Sequence, residues 1–181
     1  DLFTTRKTFL SPALATVQRV PMDKPEGGWV RFEFPADDPR VGLISQLSFV
    51  AMHSHPGKSS PTLRGRAIRE LLLCQKIPDP PGDVNFANFN DPNSPSKTAR
   101  ERLTMHSTEA SCSGCHKLMD PIGLTLERFD GAGQLRDEEN GVSIDVSGDL
   151  NGAAFTDSPG LAKTIRNDPA LSACLVNKTF S

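Results

Sequence analysis

The chain has 181 residues, 36% of them apolar, with 20 basic residues against 22 acidic ones for a net charge of -2. That length suits one domain, or one domain with a partial second. The near-neutral charge gives no argument for nucleic acid or an anionic membrane surface as partner, and no run of 18 or more apolar residues supplies a membrane span. Fifteen Pro and 14 Gly, no Tyr and only 6% aromatic residues predict a loop-rich fold around a modest core.

Residues 1–40 read as an irregular lead-in, or the tail of a preceding domain. A short helix is expected within Leu2–Val20, with Pro12 near its start. Pro21, Pro25, Gly27 and Gly28 then break any regular pattern. Trp29–Phe34 alternates apolar and polar residues, as a short strand does. Residues 41–95 read as a helical segment with a proline-rich connector. Leu43, Ile44, Leu47, Val50 and Ala51 recur at helical spacing, and His53-Ser54-His55-Pro56 ends that element because the residue before Pro is pushed out of helical space. Ser60 is placed to cap the next helix, with Pro61 in its first turn. Ala67, Ile68, Leu71, Leu72 and Cys74 line one face of it. Lys58, Arg64, Arg66 and Arg69 read as a solvated basic face. Ile77-Pro78-Asp79-Pro80-Pro81-Gly82 is an extended connector.

Residues 96–181 read as the unit that carries the chemistry. Ser96 is expected to cap a helix running through Leu103, and a second helix to begin after Asp120-Pro121. Gly131 and Gly133 mark a turn. Asn140-Gly141 ahead of the alternating stretch Val142–Val146 is a hairpin signal. Asp145, Asp149 and Asn151 lack the spacing of a calcium loop and read as a hairpin. Ser158-Pro159 caps a helix over Leu161–Ile165, with a second short helix through Cys174 and Val176. The expected fold is mainly α, loop-rich, with a small β-hairpin.

Cys112-Ser113-Gly114-Cys115-His116 is the pattern of covalent haem attachment. It makes the expected fold a cytochrome c-like helical haem domain, and makes haem propionates alternative partners for Lys58, Arg64, Arg66 and Arg69. Two thiols at this spacing reach the two vinyl groups on one side of a porphyrin, and the adjacent imidazole points at the iron. Cys112 and Cys115 are therefore expected to attach one haem c covalently, with His116 ligating its iron. A bare Cys-x-x-Cys could instead be a redox pair or half a zinc site. Zinc would need two further ligands at short spacing, and Cys74 and Cys174 are distant in sequence. These two make an even remainder, and a c-type haem is loaded on exported polypeptide. A Cys74–Cys174 disulfide is thus favoured over two buried thiols, and would stabilise by about 4–5 kcal/mol on a chain-entropy argument.

The sixth iron ligand stays open. Downstream of His116 there is no His and a single Met, Met119, which is too near to cross to the opposite haem face. His106, six residues before Cys112, is favoured, with a helix cap or a propionate contact as its plainer reading. His53, His55, Met105, Met52 and Met22 are the other side-chain candidates; water or a partner chain completes the set. A backbone carbonyl within Asp120–Gly123 is expected to orient His116 through its other ring nitrogen.

Several segments together resemble a known family. They are Arg40-Val41-Gly42-Leu43, Ser59 through Gly65, Leu72-Leu73-Cys74, Arg100-Glu101-Arg102-Leu103 with His106, Cys112 through Gly123, and Leu126-Glu127-Arg128-Phe129-Asp130 with Gly133 and Arg136. In this order they resemble the planctomycete-type cytochrome c family of exported, haem-bearing bacterial domains without an assigned reaction. The resemblance covers roughly residues 40–181. It implies the C-terminal part of a larger periplasmic or otherwise exported protein, with residues 1–40 similar to the end of the domain before it. The expected function is single-electron transfer by a mono-haem domain, to a redox partner protein or an attached domain of the same polypeptide. The alternatives are a peroxidase-like haem enzyme or haem sensor with an open sixth position, and a structural module stapled by its haem. No separate catalytic residues are expected.

Overall fold

The computed structural model describes residues 1–22, 28–79, 95–108 and 110–180. The Pro80–Gly82 half of the expected connector lies outside them. Where a helix was expected over Leu2–Val20, the chain first forms a strand, β1 (Lys7–Leu10), and only then a helix, α1 (Pro12–Val17). Proline in a first helical turn forces this division. Ser11 caps α1 by accepting from the Leu14 N–H, and Pro12 starts it. β1 pairs antiparallel with β2 (Val30–Glu33), inside the expected strand, with Lys7 opposite Glu33 and Leu10 opposite Val30. Leu10, Ala15, Val20 and Phe34 form a small cluster of their own. The lead-in is nevertheless stitched to the main body: Phe3 sits in the principal core, and the Gly42 N–H donates to the Thr5 carbonyl at 2.8 Å.

Beyond it come α2 (Leu47–Met52), the hairpin β3 (Ser54–His55) and β4 (Lys58–Ser59), and α3 (Pro61–Ala67), which continues as a π-helical turn over Ile68–Leu72. After the connector follow α4 (Ala99–His106) and α5 (Ala110–Leu124). Two further hairpins, β5 (Glu138–Glu139) with β6 (Val142–Ser143) and β7 (Gly148–Leu150) with β8 (Ala153–Phe155), precede α6 (Ser158–Asn167) and α7 (Pro169–Phe180). The described residues thus hold seven α-helices and four two-stranded antiparallel pairs, a loop-rich mixture of helix and strand rather than a mainly α fold. The last two hairpins turn on Asn140-Gly141 and Asn151-Gly152. All four residues have positive φ (50°, 75°, 54° and 87°), the conformation of a tight hairpin turn. No helix among the described residues is long and apolar enough to cross a membrane.

Three helix starts differ from expectation. Thr98, not Ser96, caps α4, through a reciprocal box with Glu101. Asp157, not Ser158, caps α6. No helix begins after Pro121: α5 runs straight through it. Pro121 lacks the N–H that would meet the Lys117 carbonyl, and packing against α3 holds the helix together across that gap. The π turn adds a residue to the register of its helix. Leu71 consequently faces solvent, 44% exposed, instead of joining Ile68 and Leu72 in the core.

α3 and α5 cross with their backbones touching. A Cβ on Gly65 would lie 1.9 Å from the Met119 carbonyl oxygen, and one on Gly123 would lie 1.7 Å from that of Pro61. Only glycine permits such an approach at both points. The basic-face reading holds for exposed Lys58 and for Arg66, which pairs with Glu70 and Asp79 near the surface. It fails for Arg64 and Arg69. Arg64 is fully buried and donates to the carbonyls of Val50, Leu126, Phe129 and Asp130 and to the Ser54 hydroxyl. Arg69, also buried, donates to the Leu118 carbonyl at 2.9 Å and to Gln75 and Asn151. Both arginines serve the interior, with Arg64 joining a carbonyl at the end of α2 to three in the chain that follows α5.

Cys74 and Cys174 are joined by a disulfide that ties the end of the π turn to α7. Replacing both cysteines by serine is expected to cost about 4–5 kcal/mol on the same chain-entropy argument. The check is a fall in Tm that a reductant reproduces in the native chain and does not deepen in the variant. Gly65→Ala and Gly123→Ala each push a methyl group into a carbonyl oxygen. Each is expected to destabilise by about 1–3 kcal/mol, read as a lower urea midpoint at unchanged m-value.

Candidate functional site

The Cys112–His116 motif lies within a single continuous helix, α5. Residues three and four apart share a helix face, so Cys112, Cys115 and His116 present their side chains on one side of α5. All three are half-buried, and neither cysteine is in a disulfide. The C-terminal half of the same helix is anchored. Met119 and Ile122 are buried, and the glycine contacts with α3 fall at Met119 and Gly123. His116 stands where the anchored half meets the accessible half.

His116 is oriented by a carboxylate, not by the backbone carbonyl expected from the sequence. Its Nδ1 lies 2.7 Å from Oδ2 of Asp120, one helical turn on, and both side chains are largely buried. An ionised carboxylate can only accept, so the shared proton sits on Nδ1, which in the neutral ring places the lone pair on Nε2. The other oxygen of Asp120 accepts from the Thr62 hydroxyl of α3 at 2.9 Å. Thr62 was not singled out from the sequence, since nothing local connects it to a residue 58 positions away. The His116–Asp120 spacing of four was a usable signal, hidden by the expectation that Pro121 opened a new helix.

α4 is clamped beside this helix. Its apolar residues Ala99 and Leu103 pack on Leu124 of α5. The β5–β6 hairpin grips its start: Glu139 accepts from the Ala99 N–H at 2.6 Å and pairs with Arg102, while Asn140 donates to the Lys97 carbonyl. A carboxylate at a helix N-terminus is favoured by the helix dipole as well as by the hydrogen bond.

His106 is the last residue of α4, and its side chain lies outside the described residues. His53 ends α2, its Nδ1 bonded to the Phe49 carbonyl at 2.7 Å and its ring 4.7 Å from that of Phe49. His55 is exposed on β3, opposite Lys58. Met52 is 77% exposed; the Met105 sulfur receives the Ser96 hydroxyl at 3.0 Å. Met22 packs against the N-terminal cluster, and Met119 is buried under α3.

These observations test whether the residues fit a covalently held haem. Two accessible thiols and an imidazole share one face of one helix, and that imidazole is engaged through Nδ1, so Nε2 is the nitrogen that would face an iron. The disulfide removes Cys74 and Cys174 from any zinc-ligand set. The donor set fits a haem with a histidine axial ligand.

The family model PSCyt3, described as a protein of unknown function (DUF1588), matches residues 40–139. That stretch includes α2, α3, α4, α5 and the whole motif. Neither a curated protein nor a solved structure matches the chain. With more than half its length covered, and with the motif, its anchoring helices and the buried arginine inside the match, the chain belongs to PSCyt3, a planctomycete cytochrome c-type family of unknown function.

Proposed function

We propose that the chain is a mono-haem c-type cytochrome domain that passes single electrons. Cys112 and Cys115 would hold haem c through thioethers, and His116 would be its proximal ligand. The observation that carries this reading is the arrangement on α5: two thiols and a carboxylate-oriented imidazole on one helix face, on an otherwise anchored helix. When bound, haem supplies the ferric–ferrous couple. Cys112 and Cys115 would each supply the sulfur and the hydrogen of one thioether-forming addition, which would change no oxidation state. The chain's own task is to fix the ligand. α3 holds α5, Thr62 holds Asp120, and Asp120 holds the ring.

His106 is the proposed sixth ligand. It ends the helix that leads into the motif, whereas His53 is bonded at the end of α2 and Met119 is buried against α3. The haem-bearing unit is proposed to span 96–181, with 41–95 packed on it and 1–40 the tail of a preceding domain. The packing of α3 on α5 supports a single body for the first two of these. The electron partner is a redox protein or an attached domain of the same polypeptide, and the proposed location is periplasmic or otherwise exported.

The test is expression in a host that matures c-type cytochromes. The expected product retains one haem through denaturation, and Cys112→Ala with Cys115→Ala abolishes that retention. The visible spectrum is expected to be low-spin in both oxidation states and indifferent to carbon monoxide, and His106→Ala is expected to convert the iron to high spin. A high-spin native spectrum that shifts with carbon monoxide would overturn the electron-carrier reading in favour of a peroxidase-like enzyme or a sensor.

A further inference from the structure

Building on the haem reading, we propose that Asp120 is a positioning residue that biases the axial iron toward its ferric state, making this domain a ready electron donor to a one-electron acceptor. Asp120 is buried at 6% exposure, and both of its oxygens are engaged, by the Thr62 hydroxyl at 2.9 Å and by His116 Nδ1 at 2.7 Å. Among the described residues no arginine or lysine forms an ion pair with it. Among these residues the imidazole is the group its carboxylate acts on most directly.

A buried carboxylate that accepts the Nδ1 proton raises the basicity of the other ring nitrogen, and low surrounding polarity strengthens that pull. A more basic Nε2 stabilises the more positive iron. The couple is one electron: ferrous iron gives an electron to the acceptor and becomes ferric, no bond forms or breaks, and the shared proton stays between Nδ1 and Oδ2. A neutral backbone carbonyl in the same place would exert a weaker pull. The geometry is fixed from outside the motif. The Gly123–Pro61 and Gly65–Met119 contacts lie on either side of the Thr62–Asp120 bond and set the distance between the helices.

The experiment is a redox titration of the haem-loaded protein, its Asp120→Asn variant and its Thr62→Val variant. Asparagine keeps the shape and the acceptor while removing the charge. The expected result is at least a tenfold shift of the reduction equilibrium toward ferrous iron, a rise of about 59 mV for one electron. Thr62→Val removes the tie between helices and leaves the carboxylate on the ring. It is expected to lower the Tm without raising the potential. An unchanged potential in a haem-loaded Asp120→Asn protein would overturn the proposal, as would an equal rise in Thr62→Val, which would make the effect one of packing. If the asparagine variant does not load haem, the native ferrous protein decides. An exchange-protected His116 Nδ1–H resonance at the low-field end of the proton spectrum is expected, and its absence overturns the proposal. Absence of covalent haem in the native chain would instead sink the functional reading beneath it.

Discussion

Two helices whose backbones touch set the limits for everything else in this molecule. α3 and α5 approach until the carbonyls of Pro61 and Met119 occupy the space that side chains would fill on Gly123 and Gly65. A methyl group at either point would separate the helices, and three structures would change together. The Thr62–Asp120 hydrogen bond would stretch, Arg64 would lose its carbonyls beyond α5, and the Arg69 bond to Leu118 would open. Interiors packed at crystal-like density pass such a displacement on instead of absorbing it. The close crossing therefore connects a packing constraint in the core to the orientation of one imidazole ring.

The buried ionic cluster under this crossing is costly in itself. Burial pushes the Arg64 guanidinium down to about 10 and pushes the Glu127 carboxyl upward, each against the pull of the other. Both directions run against ionisation, which is what results when desolvation outweighs attraction. Their contact is 3.6 Å, and Oε1 of Glu127 has no hydrogen-bond partner; its other oxygen takes Ser59 and Arg136 instead. What Arg64 contributes is geometric. Its fork collects a carbonyl from the end of α2 and three from the chain leaving α5. Three of them also accept elsewhere, Val50 from the Ser54 hydroxyl, Leu126 from the Phe129 N–H and Asp130 from the Gly133 N–H, so Arg64 ties together turns that are already formed. The cluster is better understood as fixing where these segments meet than as a source of net stability.

What was legible in the sequence was what short-range chemistry decides. Ser60-Pro61 opened its helix, Asn140-Gly141 turned its hairpin, and the parity of the remaining cysteines matched the disulfide found between Cys74 and Cys174. What was hidden depended on distant partners. Arg64 sits on a helix among three other basic residues and looks solvated until the carbonyls from residues 50 and 126–130 are folded around it. Pro121 looks like a helix breaker until α3 supports the turn it weakens. The β1–β2 pairing joins segments separated by a helix, and the residues themselves do not announce it. Of the site, the motif was evident, but the carboxylate behind His116 was lost with the helix boundary misplaced at Pro121, and Thr62 had no local signal at all.

The division of α5 into an anchored half and an accessible half would bear directly on the proposed electron transfer. A centre that gives up an electron works best when its ligands need not move between oxidation states, since any displacement adds to the barrier. His116 occupies the last accessible turn, and its restraint comes from Asp120, the first residue after buried Met119. Asp120 is restrained in turn by Thr62, one residue from the Pro61 contact. The ring is therefore held by the rigid end of its own helix and by a second helix, while Cys112, one turn earlier, and Cys115, the residue before His116, stay partly exposed. A motif on a free helix would anchor a haem equally well by its thioethers. The carboxylate and the glycine crossing behind it add a fixed ring angle and a fixed local charge at the atom where the iron would sense both.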